Sequence, residues 1–296
     1  MRGGSRTGPT LLHDFTIWKG SKTAEMILKQ PKSVEIDYHV HSDLSVEAYS
    51  SVDAVCERAV EIGLTEIVFT EHYDTEPADQ GYGFYNYEKS RGAVDRTRER
   101  FIDRLSVKLG VEVDYQPVYE TQIAEFLDGK AYDYVLGARH WLDGALIGHD
   151  YFEGKTEEES YERYFESVLP LVESGLFDVL AHIDLVKRHG TERYGTFDVE
   201  KWIERIEPIL GKLVEKDMGL EINTSGVRQA PREPYPGVAV LKRFQELGGR
   251  ILTIGSDAHR VEQVGVGLET GRRLTKEAGF TALTMFDRRK PIAVPL

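Results

Sequence analysis

Two pairs of residues, each two positions apart, carry the first chemical signal in the chain. His39 and His41 end one apolar run, and Asp257 and His259 follow another near the C-terminus. Residues two apart on a β-strand point to the same side, so both side chains of a pair can reach one ion. A lone strand-end histidine is more often solvated or capped than a ligand, so only the joint pattern favours metal binding.

Seven β-type runs in the chain carry such side chains at or near their ends. In chain order these are His39 and His41, Glu71 and His72, Glu112, His140, His182 and Asp184, Glu221 and Asn223, and Asp257 and His259. Six of the nine histidines belong to this series, which a packing requirement would not explain. Imidazole and carboxylate groups without thiolates suit a catalytic zinc, manganese or iron site. The donors exceed the needs of one ion, and clusters of two or three divalent ions activate water and bind phosphoryl oxygens.

The elements that must position these side chains alternate between short β-type runs and longer amphipathic stretches. Ser50 or Ser51 is expected to cap the first helix, Gly63 to end it, and Pro208 to kink or break a later one. The predicted strands are 34–40, 66–70, 107–115, 134–138, 178–183, 219–223 and 251–255. The predicted helices are 52–62, 95–105, 157–174, 199–217 and 238–247.

This alternation fits either an open doubly wound sheet or a closed barrel. In an open sheet the polar strand ends would lie in a row, and the outer ones would be too far apart for one site. In a (β/α) barrel all strand C-termini converge on one face, where active sites lie. We therefore expect an α/β fold, a single-domain barrel over 34–296, preceded by an N-terminal extension over 1–33. The extension begins like a flexible linker and has one helix expected over 23–30.

The composition limits which binding partners and which cellular location we expect for this protein. The net charge of −13 argues against duplex nucleic acid as a partner. A small anionic substrate is compatible with this charge if metal ions or arginines reverse the local field. The single cysteine, Cys56, allows no intrachain disulfide and is expected to be buried on a helix. No apolar run approaches membrane-spanning length and no signal-peptide core is visible, so the cytoplasm is the expected location.

Six segments, in this order, resemble the motifs of the PHP (polymerase and histidinol phosphatase) superfamily, and most closely its histidinol-phosphate phosphatase branch. They are 37–42 (DYHVHS), 70–72 (TEH), 110–115 (GVEVDY), 181–185 (AHIDL), 221–226 (EINTSG) and 255–259 (GSDAH). The stretch 286–291 (FDRRKP) is similar to the usual ending of the family. The resemblance covers about residues 34 to 291 and implies a distorted (β/α)7 TIM-like barrel with a trinuclear metal site.

The resemblance also implies which residues hold each ion. Family members usually have Asp or His where Glu47 stands, and a small or apolar residue where Arg139 stands. The longer arm of Glu changes its reach, so the third ion depends on a departure from the family pattern. The implied groups are His39, His41, Glu112 and Asp257 for the first ion, Glu112, His140 and His182 for the second, and Glu47, His72 and His259 for the third.

A phosphate substrate also needs positive side chains and a proton donor. Arg228 and Arg188 are expected in loops on the active face, where a guanidinium can pair with two phosphate oxygens. The alternative to phosphate binding is a solvated surface arginine, and this alternative applies more to Arg188 than to Arg228. Asp257 or His259 is expected to deliver a proton to the leaving oxygen. His149, His189 and the aromatic stretch 82–87 are expected in loops on the same face, and the stretch could wall or cover the pocket.

Several functions fit these residues. The resemblance favours hydrolysis of a small phosphomonoester, L-histidinol phosphate, to L-histidinol and inorganic phosphate. One alternative is a PHP phosphoesterase acting on nucleotides or short oligonucleotides. Another is a barrel that has lost catalysis, but only Glu47 is irregular among the implied ligands. A metal-dependent amidohydrolase would need a bridging Lys or its equivalent where His140 stands.

Overall fold

A computed structural model describes residues 35–296, and in it the expected parallel barrel forms. The extension over 1–33, its expected helix, and the side chain of His149 lie outside the described residues. The strands are β1 Ile36–Val40, β2 Glu66–Phe69, β3 His72–Tyr73, β4 Ser106–Asp114, β5 Tyr134–Ala138, β6 Trp141–Leu142, β7 Ala145–Leu146, β8 Val179–Leu180, β9 Gly219–Asn223, β10 Leu252–Gly255, β11 Ala282–Asp287 and β12 Lys290–Pro295. The helices are α1 Val52–Glu61, α2 Tyr87–Phe101, α3 Glu120–Leu127, α4 Glu157–Ser174, α5 Lys187–Tyr194, α6 Val199–Glu215, α7 Val238–Glu246 and α8 Leu268–Glu277.

The central sheet closes on itself. Its strands follow the order β1-β2-β4-β5-β8-β9-β10, with β3 beside β4, and all of these pairs are parallel. Beyond β10, Ala258 pairs with Val40 in a parallel bridge, and the N–H of His41 donates to the carbonyl of Ala258 at 2.9 Å. The distorted (β/α)7 barrel is therefore confirmed, and the open sheet is excluded.

A C-terminal hairpin that the sequence did not predict covers the amino ends of the strands. Strands β11 and β12 are antiparallel, and Arg288 and Arg289 at their turn have φ of 48° and 62°. The N–H of Phe286 donates to Tyr38 Oη at 2.7 Å inside the barrel. The ring centroid of Phe286 lies 5.0 Å from that of Tyr134. The stretch 286–291, which is similar to the usual ending of the family, thus lies in a hairpin that covers the end of the barrel opposite the polar strand ends.

Most helix ends follow local sequence signals. Ser51 caps α1 through the Ala54 N–H, and α4 begins with a reciprocal capping box between Thr156 and Glu159. Helix α2 begins at Tyr87, earlier than expected. Helix α6 runs through Pro208, so of the expected kink or break, the break does not occur. No helix in residues 35–296 is long and apolar enough to cross a membrane.

Candidate metal centre

Strand β1 delivers the first two histidines into a buried cluster. His39 and His41 are both fully buried, and their Nε2 atoms lie 3.0 Å apart. The main chain at Gly255 allows this approach, since a Cβ there would lie 2.2 Å from the Cβ of His39. Asp257 follows with a φ of 52°, and its Oδ1 lies 3.5 Å from His41 Nε2 and 3.8 Å from His39 Nε2. Three of the four residues expected at the first ion therefore converge, namely His39, His41 and Asp257.

Glu112 on β4 is the hub of the cluster. Its carboxylate is buried, and burial alone would raise its pKa. The surrounding imidazoles outweigh that effect and hold the pKa of Glu112 well below its usual range. Its oxygens face five histidine rings, namely His39 at 3.1 Å, His41 at 3.5 Å, His72 at 3.1 Å, His140 at 3.5 Å and His182 at 2.9 Å.

The second expected group forms at the ends of β5 and β8. The Nε2 atoms of His140 and His182 lie 3.5 Å apart, and both face Glu112 Oε1. His182 has a φ of 24°, and its N–H donates to Glu221 Oε2 at 3.0 Å. Burial would lower the pKa of His140, but Glu112 and Asp114 raise it to about 9.

The third expected group also comes together, including its unusual member. His72 and His259 place their Nε2 atoms 3.3 Å apart. Glu47 Oε1 lies 3.0 Å from His72 Nε2 and 3.6 Å from His259 Nε2, although the Glu47 side chain is 60% exposed. Hydrogen bonds from these two histidines hold the pKa of Glu47 well below its usual range. The longer Glu arm thus reaches the position that the resemblance implies.

The donor set fits divalent cations. Three histidine pairs present Nε2 atoms to each other, and in each pair at most one nitrogen can donate a proton to the other. Two nitrogens bound at about 2.0–2.1 Å to a tetrahedral ion lie about 3.3–3.4 Å apart, close to the separations of 3.0–3.5 Å found here. Burial would lower the pKa of His39, but Glu221, Glu112 and Asp257 raise it well above its usual value. The carboxylates of the cluster therefore favour a positive charge beside them, which a divalent metal supplies.

Two further acidic residues of the strand ends support the cluster from outside it. Glu71, a candidate ligand in the sequence, lies between β2 and β3 and accepts hydrogen bonds from Ser42 and Ser45 in the connection after β1. Glu221 on β9 accepts a hydrogen bond from His39 Nδ1 at 2.6 Å. Neither lies in a group of converging donors in residues 35–296. Glu221 contacts His39 directly, whereas Glu71 holds Ser45, whose Oγ lies 3.4 Å from His41 Nδ1.

Asp74 is a site residue that the sequence analysis missed. Its ligand atoms lie within 4.8 Å of those of His72 and His140. Burial raises the pKa of Asp74 to about 6. Its carboxylate lies over Gly81, where a Cβ would come within 2.0 Å of Oδ2. Asp74 has the same two-residue spacing from His72 that joins His39 to His41, and this was the available signal.

The two predicted arginines lie on the active face, but in helical turns instead of loops. Arg228 ends a 3-10 helix over Thr224–Arg228 and donates from Nη2 to the carbonyls of Ser256 and Asp257 at 2.7 and 2.8 Å. Its Nη1 is buried without a hydrogen-bond partner among the described residues. Arg188 lies in the first turn of α5 and is exposed. Arg228 is therefore fixed with one free donor, whereas Arg188 can move.

The remaining candidates lie around this centre. Arg139 points away from it and donates to the carbonyl of Tyr115 at 2.5 Å, so this departure from the family pattern has a structural use. His189 was expected in a loop but lies in α5, with Nδ1 3.1 Å from Glu192 Oε2. In the stretch 82–87, Tyr82 and Phe84 are each 49% exposed, and Tyr87 already belongs to α2.

Comparison with known proteins agrees with this arrangement. The PHP domain model matches residues 37–225. A probable histidinol-phosphatase of Thermotoga maritima is 30% identical over 88% of this chain and 99% of its own length. The crystal structure of histidinol phosphate phosphatase from Lactococcus lactis, complexed with zinc, L-histidinol and phosphate, is 27% identical with a TM-score of 0.82, over 88% of this chain and 99% of that chain. A structure from Listeria monocytogenes, 22% identical with a TM-score of 0.72 over 80% of this chain and 99% of that chain, shares the fold. By sequence and by structure, this chain belongs to the PHP domain family.

Proposed function

We propose that this protein is a metal-dependent phosphatase that hydrolyses L-histidinol phosphate to L-histidinol and inorganic phosphate. The observation that carries the proposal is the likeness to the Lactococcus lactis enzyme, which binds zinc, L-histidinol and phosphate. That likeness covers 88% of this chain and 99% of the Lactococcus lactis chain, so it extends over almost the whole described barrel. The reaction class is therefore phosphoric monoester hydrolysis, with histidine biosynthesis as its setting.

The buried cluster would hold two or three divalent ions, with zinc, manganese and iron as the candidates. When bound, such ions lower the pKa of water and neutralise phosphoryl oxygens. Glu112 lies where it can serve more than one ion, because it faces five imidazoles. Glu47, His72 and His259 would hold the third ion, and the contacts of Glu47 support this assignment.

The remaining residues would bind and orient the phosphate. The buried Nη1 of Arg228 is a fixed donor without a hydrogen-bond partner in residues 35–296, which suits a phosphate oxygen. Arg188 would add a second, more mobile guanidinium as the substrate enters. Asp257 or His259, at the same strand end, would hand a proton to the leaving alkoxide oxygen.

The charge distribution around the cluster supports an amino-containing substrate. Arg188 and Arg228 follow β8 and β9, whereas Asp74 and Asp79 follow β3 on the opposite side of the barrel. Asp79 is held by the Trp141 indole N–H at 2.5 Å and by the Gly81 N–H at 2.7 Å. A molecule with phosphate at one end and an ammonium at the other matches this polarity. A nucleotide carries no ammonium group, and no feature of the described residues favours it.

Phosphate release tests the proposal directly. L-Histidinol phosphate, AMP and a generic aryl phosphate are compared with added zinc or manganese, with EDTA, and with the variants His39→Ala and Arg228→Ala. Arg273→Ala, at a 65% exposed position on α8, is the matched arginine control. Preferential turnover of L-histidinol phosphate that EDTA and both site variants abolish is expected. Equal or faster turnover of AMP would transfer the assignment to a nucleotide phosphoesterase.

A further inference from the structure

A fully buried lysine lies next to the phosphate-binding side of the site. Lys187 is 0% exposed, and its Nζ lies 2.8 Å from Asp184 Oδ2. The same Nζ donates to Glu233 Oε1 at 2.8 Å and to the carbonyl of Pro234 at 3.0 Å. The ring of Tyr235 lies 5.2 Å from it. Burying an ammonium group is costly unless it is paired, so this set of contacts holds one geometry closely.

The contacts of Lys187 join two segments that each carry a phosphate-binding arginine. On one side, Lys187 precedes Arg188 at the start of α5, and Asp184 follows β8. On the other side, Glu233 and Pro234 belong to the segment that follows Arg228. The ammonium group is therefore a direct connection between the backbone of Arg188 and the segment after Arg228.

That segment is packed tightly onto the turn that bears Arg228. A Cβ at Gly226 would lie 2.0 Å from the carbonyl oxygen of Glu233. The N–H of Tyr235 donates to the carbonyl of Asn223 at 2.8 Å, and the reverse bond is also 2.8 Å. Tyr235 Oη donates to Gln229 Oε1 at 2.6 Å. A shift of Glu233 would therefore be transmitted to the turn that ends at Arg228.

We propose that Lys187 is a positioning residue that sets the placement of Arg188 relative to Arg228 for binding a phosphate group. The inference rests on the proposed function, in which both arginines bind the phosphate. Lys187 itself touches no substrate, because it is sealed beneath Tyr235 and the Glu233 side chain. Its expected effect is on phosphate affinity, because among the described residues the side-chain contacts of Lys187 reach Asp184 and the segment after Arg228 and include none of the residues expected to hold metal.

Three variants test the inference. Lys187→Met removes the ammonium group but leaves Asp184 buried and unpaired, so it is compared with the double variant Lys187→Met/Asp184→Asn. Glu233→Gln weakens the connection from the other side at a position that is 46% exposed, so this variant is expected to fold. Glu246→Gln, 59% exposed on α7, is the matched control.

The first measurement is the affinity of the zinc-loaded protein for inorganic phosphate, by calorimetry, together with zinc content, melting temperature, kcat and KM. We expect phosphate affinity to fall on the order of 10-fold or more in Lys187→Met/Asp184→Asn, and by a smaller factor in Glu233→Gln, with zinc content unchanged. KM for L-histidinol phosphate should rise more than kcat falls.

The outcomes separate this inference from the proposed function. Folded variants that melt earlier but bind phosphate within about twofold of the wild type would show that Lys187 is only structural. Should both Lys187 variants fail to fold, an unchanged phosphate affinity in Glu233→Gln would overturn the inference. Wild-type protein that binds phosphate yet leaves L-histidinol phosphate intact would refute the substrate assignment while the calorimetric comparison still decides the role of Lys187.

Discussion

The carboxylate of Glu221 controls which nitrogen of His39 carries the proton, and Glu221→Gln tests this control. Oε1 accepts a hydrogen bond from His39 Nδ1 at 2.6 Å. Oε2 accepts from the N–H of His182 at 3.0 Å and from Asn223 Nδ2 at 3.3 Å. With Nδ1 protonated, the Nε2 atom of His39, which points at Glu112, is free to bind a metal.

A glutamine at position 221 can satisfy only one side of this arrangement. If its oxygen faces His182 and Asn223, its amide nitrogen faces His39 Nδ1 and drives the ring proton to Nε2. In the reverse orientation, the amide nitrogen of the glutamine would face two other donors, the His182 N–H and Asn223 Nδ2. Each buried group left without a hydrogen-bond partner costs about 1–3 kcal/mol. The first orientation should therefore prevail, and it blocks a ligand atom. Loss of such orienting partners weakens metal binding about 10–100-fold, or about 1.4–2.7 kcal/mol.

Zinc affinity measured by competition with a chromophoric chelator gives the readout. The dissociation constant of Glu221→Gln should rise about 10–100-fold, with a parallel loss of kcat/KM at limiting zinc. Excess zinc should restore part of the activity. Glu246→Gln on α7 makes the same chemical change at an exposed position and should bind zinc like the wild type. Zinc affinity within about twofold of the wild type in Glu221→Gln would refute the argument from the His39 proton.

Three other perturbations have expected outcomes. Asp74→Asn should raise KM for L-histidinol phosphate about 10-fold but leave aryl phosphate turnover nearly unchanged, and an equal loss on both substrates would contradict an ammonium-binding role. Gly255→Ala should destabilise the barrel by about 1–3 kcal/mol in urea unfolding, because its Cβ would collide with His39, whereas Gly211→Ala on α6 has free space and should not destabilise it. Zinc binding should release protons and tighten as pH rises toward 9, since the pKa of His140 is raised to about 9 and the ligand must be neutral; calorimetry in buffers of different ionisation enthalpy would detect the protons, and their absence would contradict the pKa.

Short-range signals in the sequence were sufficient for the strands of the barrel and for the pair His39 and His41. The groupings of His72 with His259 and of His140 with His182 came from the resemblance. Strand periodicity placed His39 and His41 on one side of β1. The closure between Val40 and Ala258 agrees with the series of polar strand ends, which favoured a barrel over an open sheet. The position of Glu47 came only from the resemblance. Its contacts with His72 and His259 depend on the path of the irregular connection after β1, which no periodicity describes.

Roles that depend on contacts between distant segments could not be predicted from the sequence. Glu71 and Glu221 both follow the strand-end pattern, yet one binds Ser42 and Ser45 and the other orients His39. A carboxylate that binds a metal and a carboxylate that orients its ligand have the same residue type and spacing. Only the distances between the segments distinguish them. The helices α3, α5 and α8 were also missed, since α3 and α5 span only eight residues each and α5 and α8 contain few apolar positions.

Two expected ligands, His182 and Asp257, have a strained backbone, which lowers the stability of the barrel but places their side chains in the site. His182 and Asp257 have φ of 24° and 52°, a region that costs non-glycine residues about 1–3 kcal/mol. Each is held there by a hydrogen bond from its own N–H, to Glu221 Oε2 at 3.0 Å and to the carbonyl of His39 at 2.7 Å. In a regular strand, successive side chains alternate between the interior and the exterior of the barrel. The positive φ instead directs His182 toward Glu112 and Asp257 toward His39 and His41, and the strain persists because Glu221 and β1 compensate it. The carboxylate that fixes the His39 proton therefore also holds the strained His182, so a substitution that removes both of its oxygens should affect both histidines.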